Sequence, residues 1–151
     1  MSSKLVFLDI DGTLADERHE VPISAQEACK AARSRGHKLF ICTGRSMPKI
    51  ERGILDLGFD GVISVAANAF PKRFMECVNY AKAGEFDRAE KAYECLDEAV
   101  HALFEEGNPV GVKCALAEMG IIGPTMRLPL VEGSGALREK FRKLIAEYDL
   151  R

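Results

Sequence analysis

The most constraining feature of the sequence is an unbroken apolar run close to the amino terminus. Residues 4–14 read Lys-Leu-Val-Phe-Leu-Asp-Ile-Asp-Gly-Thr-Leu, so the run leads directly into an acidic pair and a Gly-Thr turn. Apolar residues without alternation are typical of a parallel strand that is buried on both faces. We therefore expect a first strand that begins near Leu5 and whose carboxyl end opens a ligand site, as in open α/β sheets.

The acidic pair, Asp9 and Asp11, predicts weak binding of a hard cation. The two residues are two positions apart, so both carboxylates can enter one crevice. Neighbouring carboxylates repel each other unless a cation or a proton lies between them, and Mg²⁺ prefers oxygen ligands. One carboxylate could then attack an electrophile while the other transfers protons. For a lone D-x-D, a helix cap or a solvated turn is the simpler alternative.

A second apolar run, residues 38–42, predicts a second strand. The residues between the two runs include a capping box, Ser24 with Glu27, and a stripe of small side chains, which predict a helix packed closely on a sheet. A strand, a helix and a strand with short connections form a right-handed parallel unit, so the two strand ends should lie side by side.

The second strand ends at Thr43 and Gly44, which should emerge beside Asp9. A hydroxyl and exposed backbone amides at that point can bind phosphate oxygens, so Thr43, Gly44 and Gly12 are candidate phosphate ligands. Ordinary capping of the following turn is the alternative.

The remainder of the chain predicts one further strand, over residues 59–66, followed by helices. The predicted fold class is α/β, with a three-stranded parallel sheet in the order 1-2-3, a Rossmann-like β-α-β-α-β-α arrangement and an appended C-terminal helical bundle. Helices are expected over residues 48–57, 71–83, 86–103, 109–119 and 134–148.

The phrases Asp-Ile-Asp-Gly-Thr-Leu, at residues 9–14, and Thr-Gly-Arg, at 43–45, resemble the first two motifs of the haloacid dehalogenase-like hydrolases, in their sugar-phosphatase-like branch. The resemblance implies that Asp9 is a nucleophile that forms an aspartyl-phosphate, that Asp11 is the general acid/base, and that both help to hold Mg²⁺. The family's later lysine and its G-D-x-x-x-D run have no counterpart in this sequence.

From about residue 61 onwards the sequence resembles a different family, the dihydrodipicolinate synthases and N-acetylneuraminate lyases. The matching phrases are G-V-I-S-V-A-A-N at 61–68, N-P-V-G-V-K at 108–113 and G-P-T-M-R-L-P-L at 123–130. The resemblance implies the last strand of a (β/α)₈ barrel, its helix and the C-terminal helices. That family's Schiff-base lysine and catalytic tyrosine belong to earlier strands, so no catalytic residue is assigned in this half.

The two resemblances meet inside one predicted strand, which indicates a chimera, most simply an engineered one, forming a single compact unit. Residues 1–62 would be hydrolase-derived, and residues 63–151 would be a lyase-derived strand with helices. Such a protein would lack a complete active site and an evolved catalytic function, and lyase activity is not expected. The alternatives are a residual Mg²⁺-dependent phosphohydrolase that uses Asp9 and Asp11, and a weak module for Mg²⁺ or phosphate.

The amino-acid composition limits the classes of binding partner and the cellular compartment that we expect. Lysine and arginine number 21 against 23 acidic residues, so nothing favours nucleic acid or an anionic membrane as a partner. The sequence has no apolar run of membrane-spanning length, and its five scattered cysteines suggest reduced packing residues in a cytoplasmic protein. The first strand would have a free edge, so a homodimer through a strand edge or a helical face is also predicted.

Overall fold

A computed structural model describes residues 2–44, 54 and 56–150, and the helix predicted over residues 48–57 lies largely outside them. The chain divides into two compact units, residues 1–64 and 65–151. The proposal of a single compact unit made from segments 1–62 and 63–151 stays a prediction. Among the described residues, no helix is both long and apolar enough to cross a membrane.

The first unit contains a three-stranded parallel sheet. Its strands are β1 (Leu5–Asp9), β2 (Lys38–Thr43) and β3 (Gly61–Ser64), and their order in the sheet is β1-β2-β3. Helix α1 (Ile23–Ser34) connects β1 to β2. The α/β class, the parallel sheet and the strand order predicted from the sequence are confirmed.

The start of α1 differs from the prediction. The helix begins at Ile23, after Pro22, and among the described residues no side chain caps its first turn. The prediction of a capping box formed by Ser24 and Glu27 is therefore wrong. Ser24 already lies inside the first turn, so its hydroxyl is beyond the N-cap position. Only from that position does a side-chain oxygen accept hydrogen bonds from the free backbone N–H groups of the first turn.

One face of the sheet carries the hydrophobic core of this unit. Alternate residues of the strands point to it, and the small residues of α1 pack against them, with Cys29 only 6% exposed. The strand residues of this core are Val6, Leu8, Leu39, Ile41 and Val62.

The opposite face, which we call the open face, consists of Leu5, Phe7 and Asp9 of β1, Phe40 and Cys42 of β2, and Ile63 of β3. Leu5 is 62% exposed, and Phe7 and Ile63 are each 52% exposed. The rings of Phe7 and Phe40 stack with their centroids 5.1 Å apart. The prediction that β1 is buried on both faces is therefore wrong, because the helix packs on one face only.

Asp60 fixes the start of β3 against the start of β2. Its carboxylate accepts hydrogen bonds from Lys38 Nζ, at 2.8 Å, and from the backbone N–H of Leu39, at 3.0 Å. The Asp60 N–H donates to the Leu39 carbonyl at 2.8 Å. The hydrogen bond from Lys38, followed by that from Leu39, lowers the pKa of Asp60.

The second unit is helical. The strand predicted to reach Ala66 ends two residues earlier, because helix α2 starts at Val65. Helix α3 packs on α4, and α6 packs on both α4 and α5, so the predicted helices after residue 70 are confirmed with small differences at their ends. The helices are α2 (Val65–Ala69), α3 (Pro71–Lys82), α4 (Phe86–Ala102), α5 (Val110–Glu118) and α6 (Gly135–Tyr148).

Two close contacts join the helices of this unit. Helix α5 approaches the end of α4 at Gly111, where an added Cβ would lie 2.1 Å from the carbonyl oxygen of Leu103. Glu118, whose side chain is 7% exposed, accepts hydrogen bonds from Arg138 Nε at 2.6 Å and Arg142 Nε at 2.7 Å. The Arg138 hydrogen bond is the main cause that lowers the pKa of Glu118.

Ser134 caps the last helix, at the residue where the sequence predicts that this helix begins. Its Oγ accepts a hydrogen bond from the backbone N–H of Leu137 at 3.2 Å. The carboxylate of Glu106 in turn accepts hydrogen bonds from the Ser134 hydroxyl and from its backbone N–H, the latter at 2.9 Å. These bonds join the start of α6 to the segment after α4.

Candidate functional site

The carboxyl ends of the three strands form the candidate site. β1, β2 and β3 end at Asp9, Thr43 and Ser64, and the register pairs Asp9 with Cys42 and Thr43 with Ser64. The expected neighbourhood of the first two strand ends is confirmed. Side chains alternate between faces, so Asp9 lies on the open face while Thr43, 8% exposed, lies on the packed face with Ser64.

A tight turn follows β1 and directs Asp11 outwards. The backbone N–H groups of Leu14 and Ala15 donate to the carbonyl of Ile10 at 3.1 and 2.9 Å, and the Ile10 side chain is fully buried. Gly12 has φ of +70°, a left-handed conformation that favours glycine. Some backbone N–H groups of the turn are thus hydrogen-bonded within the turn itself. The Asp11 side chain is 57% exposed, and its Oδ1 lies 3.8 Å from His19 Nδ1.

The loop after this turn surrounds an open depression of about 560 Å³. Asp16 organises the loop, because its Oδ1 accepts hydrogen bonds from the backbone N–H groups of Arg18 and Glu20 at 2.9 and 3.0 Å. Asp11 and Gly12 line the depression, together with Asp16, Glu17 and His19. Among the described residues, Asp9, Thr43 and Gly44 do not line it.

The structure thus brings together only part of the predicted site. Asp11 and Gly12 share the depression, Asp9 is exposed on the open face, and Thr43 is buried on the other face. In residues 2–44, 54 and 56–150, no group of three or more His, Cys, Asp or Glu residues is arranged to hold a metal ion. Binding of Mg²⁺ by Asp9 and Asp11, and of phosphate by Thr43, Gly44 and Gly12, stays a prediction.

Lysine is absent from the carboxyl ends of the described strands. Lys38 begins β2 at the opposite end of the sheet, Lys4 precedes β1, and the other described lysines lie in helices.

Sequence reasoning missed two features of the sheet. Ser64 beside Thr43 was not singled out, although both residues end apolar runs and a parallel register brings such ends together. The open face was also missed, because every residue from Leu5 to Leu8 is apolar, so a pattern of period two could not reveal it.

Comparison with known proteins identifies the family. The model of the dihydrodipicolinate synthetase family matches residues 24–148. The 4-hydroxy-tetrahydrodipicolinate synthase of Parabacteroides distasonis is 39% identical over 98 residues, 65% of this chain and 33% of that protein. The enzyme of Methanocaldococcus jannaschii is 45% identical over 92 residues, 61% of this chain and 30% of that protein. The chain thus spans about a third of the length of these relatives.

Solved structures of the same family resemble the fold. A monomeric dihydrodipicolinate synthase variant matches 84% of this chain and 41% of its own, at 33% identity and a TM-score of 0.71. The Thermotoga maritima enzyme matches 81% of this chain and 40% of its own, at 34% identity and a TM-score of 0.68. The three-stranded sheet is accordingly part of the barrel of this family and replaces the predicted Rossmann-like arrangement.

These matches correct the sequence-based interpretation. The family match runs without interruption across residues 61–64, where the junction of a chimera was predicted, and it includes Thr43 and Gly44. The Aquifex aeolicus synthase, at 22% identity, shares the fold over 97% of this chain with a TM-score of 0.61. The hydrolase resemblance, the engineered chimera without evolved function and the phosphohydrolase alternative are therefore wrong. The chain belongs to the dihydrodipicolinate synthetase family.

Proposed function

We propose that this chain acts as part of a lyase of the 4-hydroxy-tetrahydrodipicolinate synthase type. The observation that carries the proposal is the unbroken family match over residues 24–148, which joins β2, β3 and all the helices of the second unit in one family pattern. In this proposal β1, β2 and β3 are barrel strands, and the helices after β3 form the helical appendage of the barrel.

The proposed substrate class is a 2-oxo acid. A related synthase from Acinetobacter baumannii, 29% identical, was solved in complex with pyruvate. In a Schiff-base mechanism a lysine amine condenses with the ketone, and water leaves. The reacting lysine would come from strands other than the three described here, because none of these ends in lysine.

The test supplies the strands that carry the lysine. The amino-terminal portion of the M. jannaschii enzyme, without the segment that this chain matches, is expressed separately and mixed with the chain. Pyruvate and borohydride are added, so that any imine is reduced to a secondary amine, and intact-mass spectrometry locates the adduct. We expect an adduct on the added portion that increases at least tenfold when the chain is present.

The control is the same portion mixed with its own natural carboxyl-terminal segment, which establishes that the mixture can form the adduct. If that control forms the adduct and the mixture with this chain does not, the proposed function is wrong. Synthase turnover in the same two mixtures provides a second readout.

We further propose that the protein works in the cytoplasm. All five cysteines are free, and burial raises the pKa of the Cys77 thiol to about 11, which makes it a poor nucleophile for disulfide exchange. Unpaired thiols of this kind are typical of a reducing compartment. The absence of nucleic-acid and membrane partners stays a prediction.

A further inference from the structure

We propose that two copies of this chain associate through residues 121–131, in a dimer with two-fold symmetry. These residues, which we call the apolar segment, connect α5 to α6 and lie wholly within the second unit. The apolar segment is neither a strand edge nor a helical face, so this dimer differs from the one predicted from the sequence. The inference does not depend on the proposed function.

The apolar segment exposes five large hydrophobic side chains to solvent. Leu128 is 81% exposed, Val131 is 67% exposed and Ile121 is 63% exposed, and Ile122 and Leu130 are also exposed. Single exposed apolar side chains are normal on a protein surface, whereas a concentration of them marks a site of interaction. The apolar segment therefore has the chemistry of a contact surface.

The backbone of the apolar segment leaves the contact to side chains. The Leu130 N–H donates to the Arg127 carbonyl at 3.1 Å, which closes a tight turn, and Pro129 within this turn has no N–H to donate. Lys113 Nζ donates to the Thr125 carbonyl. Because these backbone groups are already paired or absent, a partner can cover them without supplying hydrogen bonds of its own.

Hydrogen bonds hold the chain in place at both ends of the apolar segment. At its start, the Ile121 N–H donates to the Leu116 carbonyl at 3.0 Å. Just beyond its end, the Ser134 N–H donates to the Glu106 carboxylate at 2.9 Å. A surface that is ordered before association loses less conformational entropy when a partner binds, so these bonds favour binding.

The charges beside the turn favour a second copy as the occupant. Arg127 directly precedes Leu128, Glu132 directly follows Val131, and both charged side chains are exposed. In a two-fold contact, residue i of one copy meets residue j of the other, and j meets i. An axis midway between positions 127 and 132 therefore brings Arg127 of each copy to Glu132 of the other.

The same symmetry places apolar side chains at the centre of the contact. Leu128 of each copy faces Val131 of the other, and the two pairs of opposite charge lie outside them. An apolar centre with a polar rim is the usual arrangement of protein interfaces. The chain thus supplies, in one short stretch, both halves of a complementary surface.

The size of the apolar segment predicts a weak and reversible dimer. Its exposed side chains offer on the order of 400 Å² of apolar surface, within the range of patches that mark interaction sites. Stable interfaces of standard size bury about 800 Å² from each partner, and smaller ones belong to transient complexes. We therefore expect a dissociation constant on the order of 100 µM.

The first test is sedimentation velocity of the chain from about 10 to about 500 µM, a range that spans the expected constant. We expect a monomer at the low end and a dimer at the high end. Leu128→Glu should weaken association at least tenfold. The matched control is Ile23→Glu, because Ile23 is 74% exposed on α1, outside the apolar segment, and we expect it to change the dissociation constant less than twofold.

A charge swap tests the symmetry of the contact. Arg127→Glu and Glu132→Arg should each weaken association at least fivefold, because each variant brings like charges together twice. The double variant Arg127→Glu/Glu132→Arg should recover the original dissociation constant within threefold, since opposite charges face each other again. Both side chains are exposed, so neither change is expected to disturb the fold. A double variant that is as weak as the single variants would refute this arrangement.

Three other outcomes would also overturn the inference. The first is a chain that stays monomeric at the highest concentration. The second is association that persists in Leu128→Glu but is lost in Phe7→Glu, which would place the contact on the open face. The third is a dimer that dissociates when the amino-terminal portion of the M. jannaschii enzyme is added, which would make that portion the occupant. The pyruvate adduct tests the proposed function separately, because its formation does not require the dimer.

Discussion

The replacement Gly111→Ala tests the closest approach between two helices in the second unit. The new Cβ would meet the carbonyl oxygen, carbonyl carbon and Cα of Leu103 at 2.1, 2.5 and 2.7 Å, all of which are backbone atoms that no rotamer change can move. Since real Cβ contacts essentially never fall below 3.0 Å, α5 would have to move by about 1 Å. Such a shift would loosen the packing of Ala115, which is fully buried. We expect a loss of about 3 kcal/mol in the free energy of unfolding, at the upper end for overpacking.

Urea unfolding followed by circular dichroism at 222 nm reports on this unit, because most of the described helices belong to it. The matched control is Gly135→Ala, at the start of α6, where an added Cβ has no neighbour within 4 Å and no positive φ is required. We expect that control to be neutral or slightly stabilising, by up to about 0.5 kcal/mol. A Gly111→Ala variant that unfolds within about 0.5 kcal/mol of the unmodified chain would refute the close contact of α5 with Leu103.

Three further predictions follow from side chains described above. Glu118→Gln should lower the free energy of unfolding by about 2 kcal/mol at pH 7, because two arginines lose their carboxylate. The pKa of Glu118 is lowered on folding. The stabilisation by the Glu118 carboxylate is therefore complete above the unfolded pKa of about 4.3 and is lost as pH falls through the folded pKa. Urea unfolding at a series of pH values should show the stabilities of the unmodified chain and Glu118→Gln converging in acid. Ser134→Ala should cost about 1 kcal/mol in the same urea assay, and an unchanged midpoint would contradict the cap. Mg²⁺ titrated into the labelled chain should shift the amide signals around Asp9 and Asp11 with a dissociation constant of about 1 mM or weaker, and Asp9→Asn should remove the shifts; equal shifts in both proteins would disprove this site.

Much of the fold could be predicted from local patterns. The apolar runs before Asp9 and Thr43 identified two strands, and the stripe of small side chains identified the helix between them. Ser134 signalled the start of α6 because a hydroxyl at that position accepts from the third amide of the helix. The same signal failed at Ser24, because Pro22 lets the helix begin earlier and moves the hydroxyl out of the capping position.

The family and the candidate site were less predictable from local patterns. The D-x-D-G-T phrase is short and lies before residue 24, outside the family match. This short phrase suggested a hydrolase, whereas the family is identified by a pattern that spans most of the chain. The alternation of a strand decides which side chains share a face, and here it separates Asp9 from Thr43 although their strands are neighbours. The residue spacing within the phrases at 9–14 and 43–45 does not show on which face of the sheet Asp9 and Thr43 lie.

The hydrogen bonds of Asp60 determine how β3 aligns with β2. In a sheet with one packed face, a slip of one residue turns every side chain of a strand over. Such a slip of β3 would take Val62 out of the core and bring Ile63 into it. Asp60 opposes the slip, because its carboxylate and its N–H both bond to the backbone of Leu39 and therefore fit one alignment only. A single polar residue just before β3 thus selects which of two apolar neighbours faces the core.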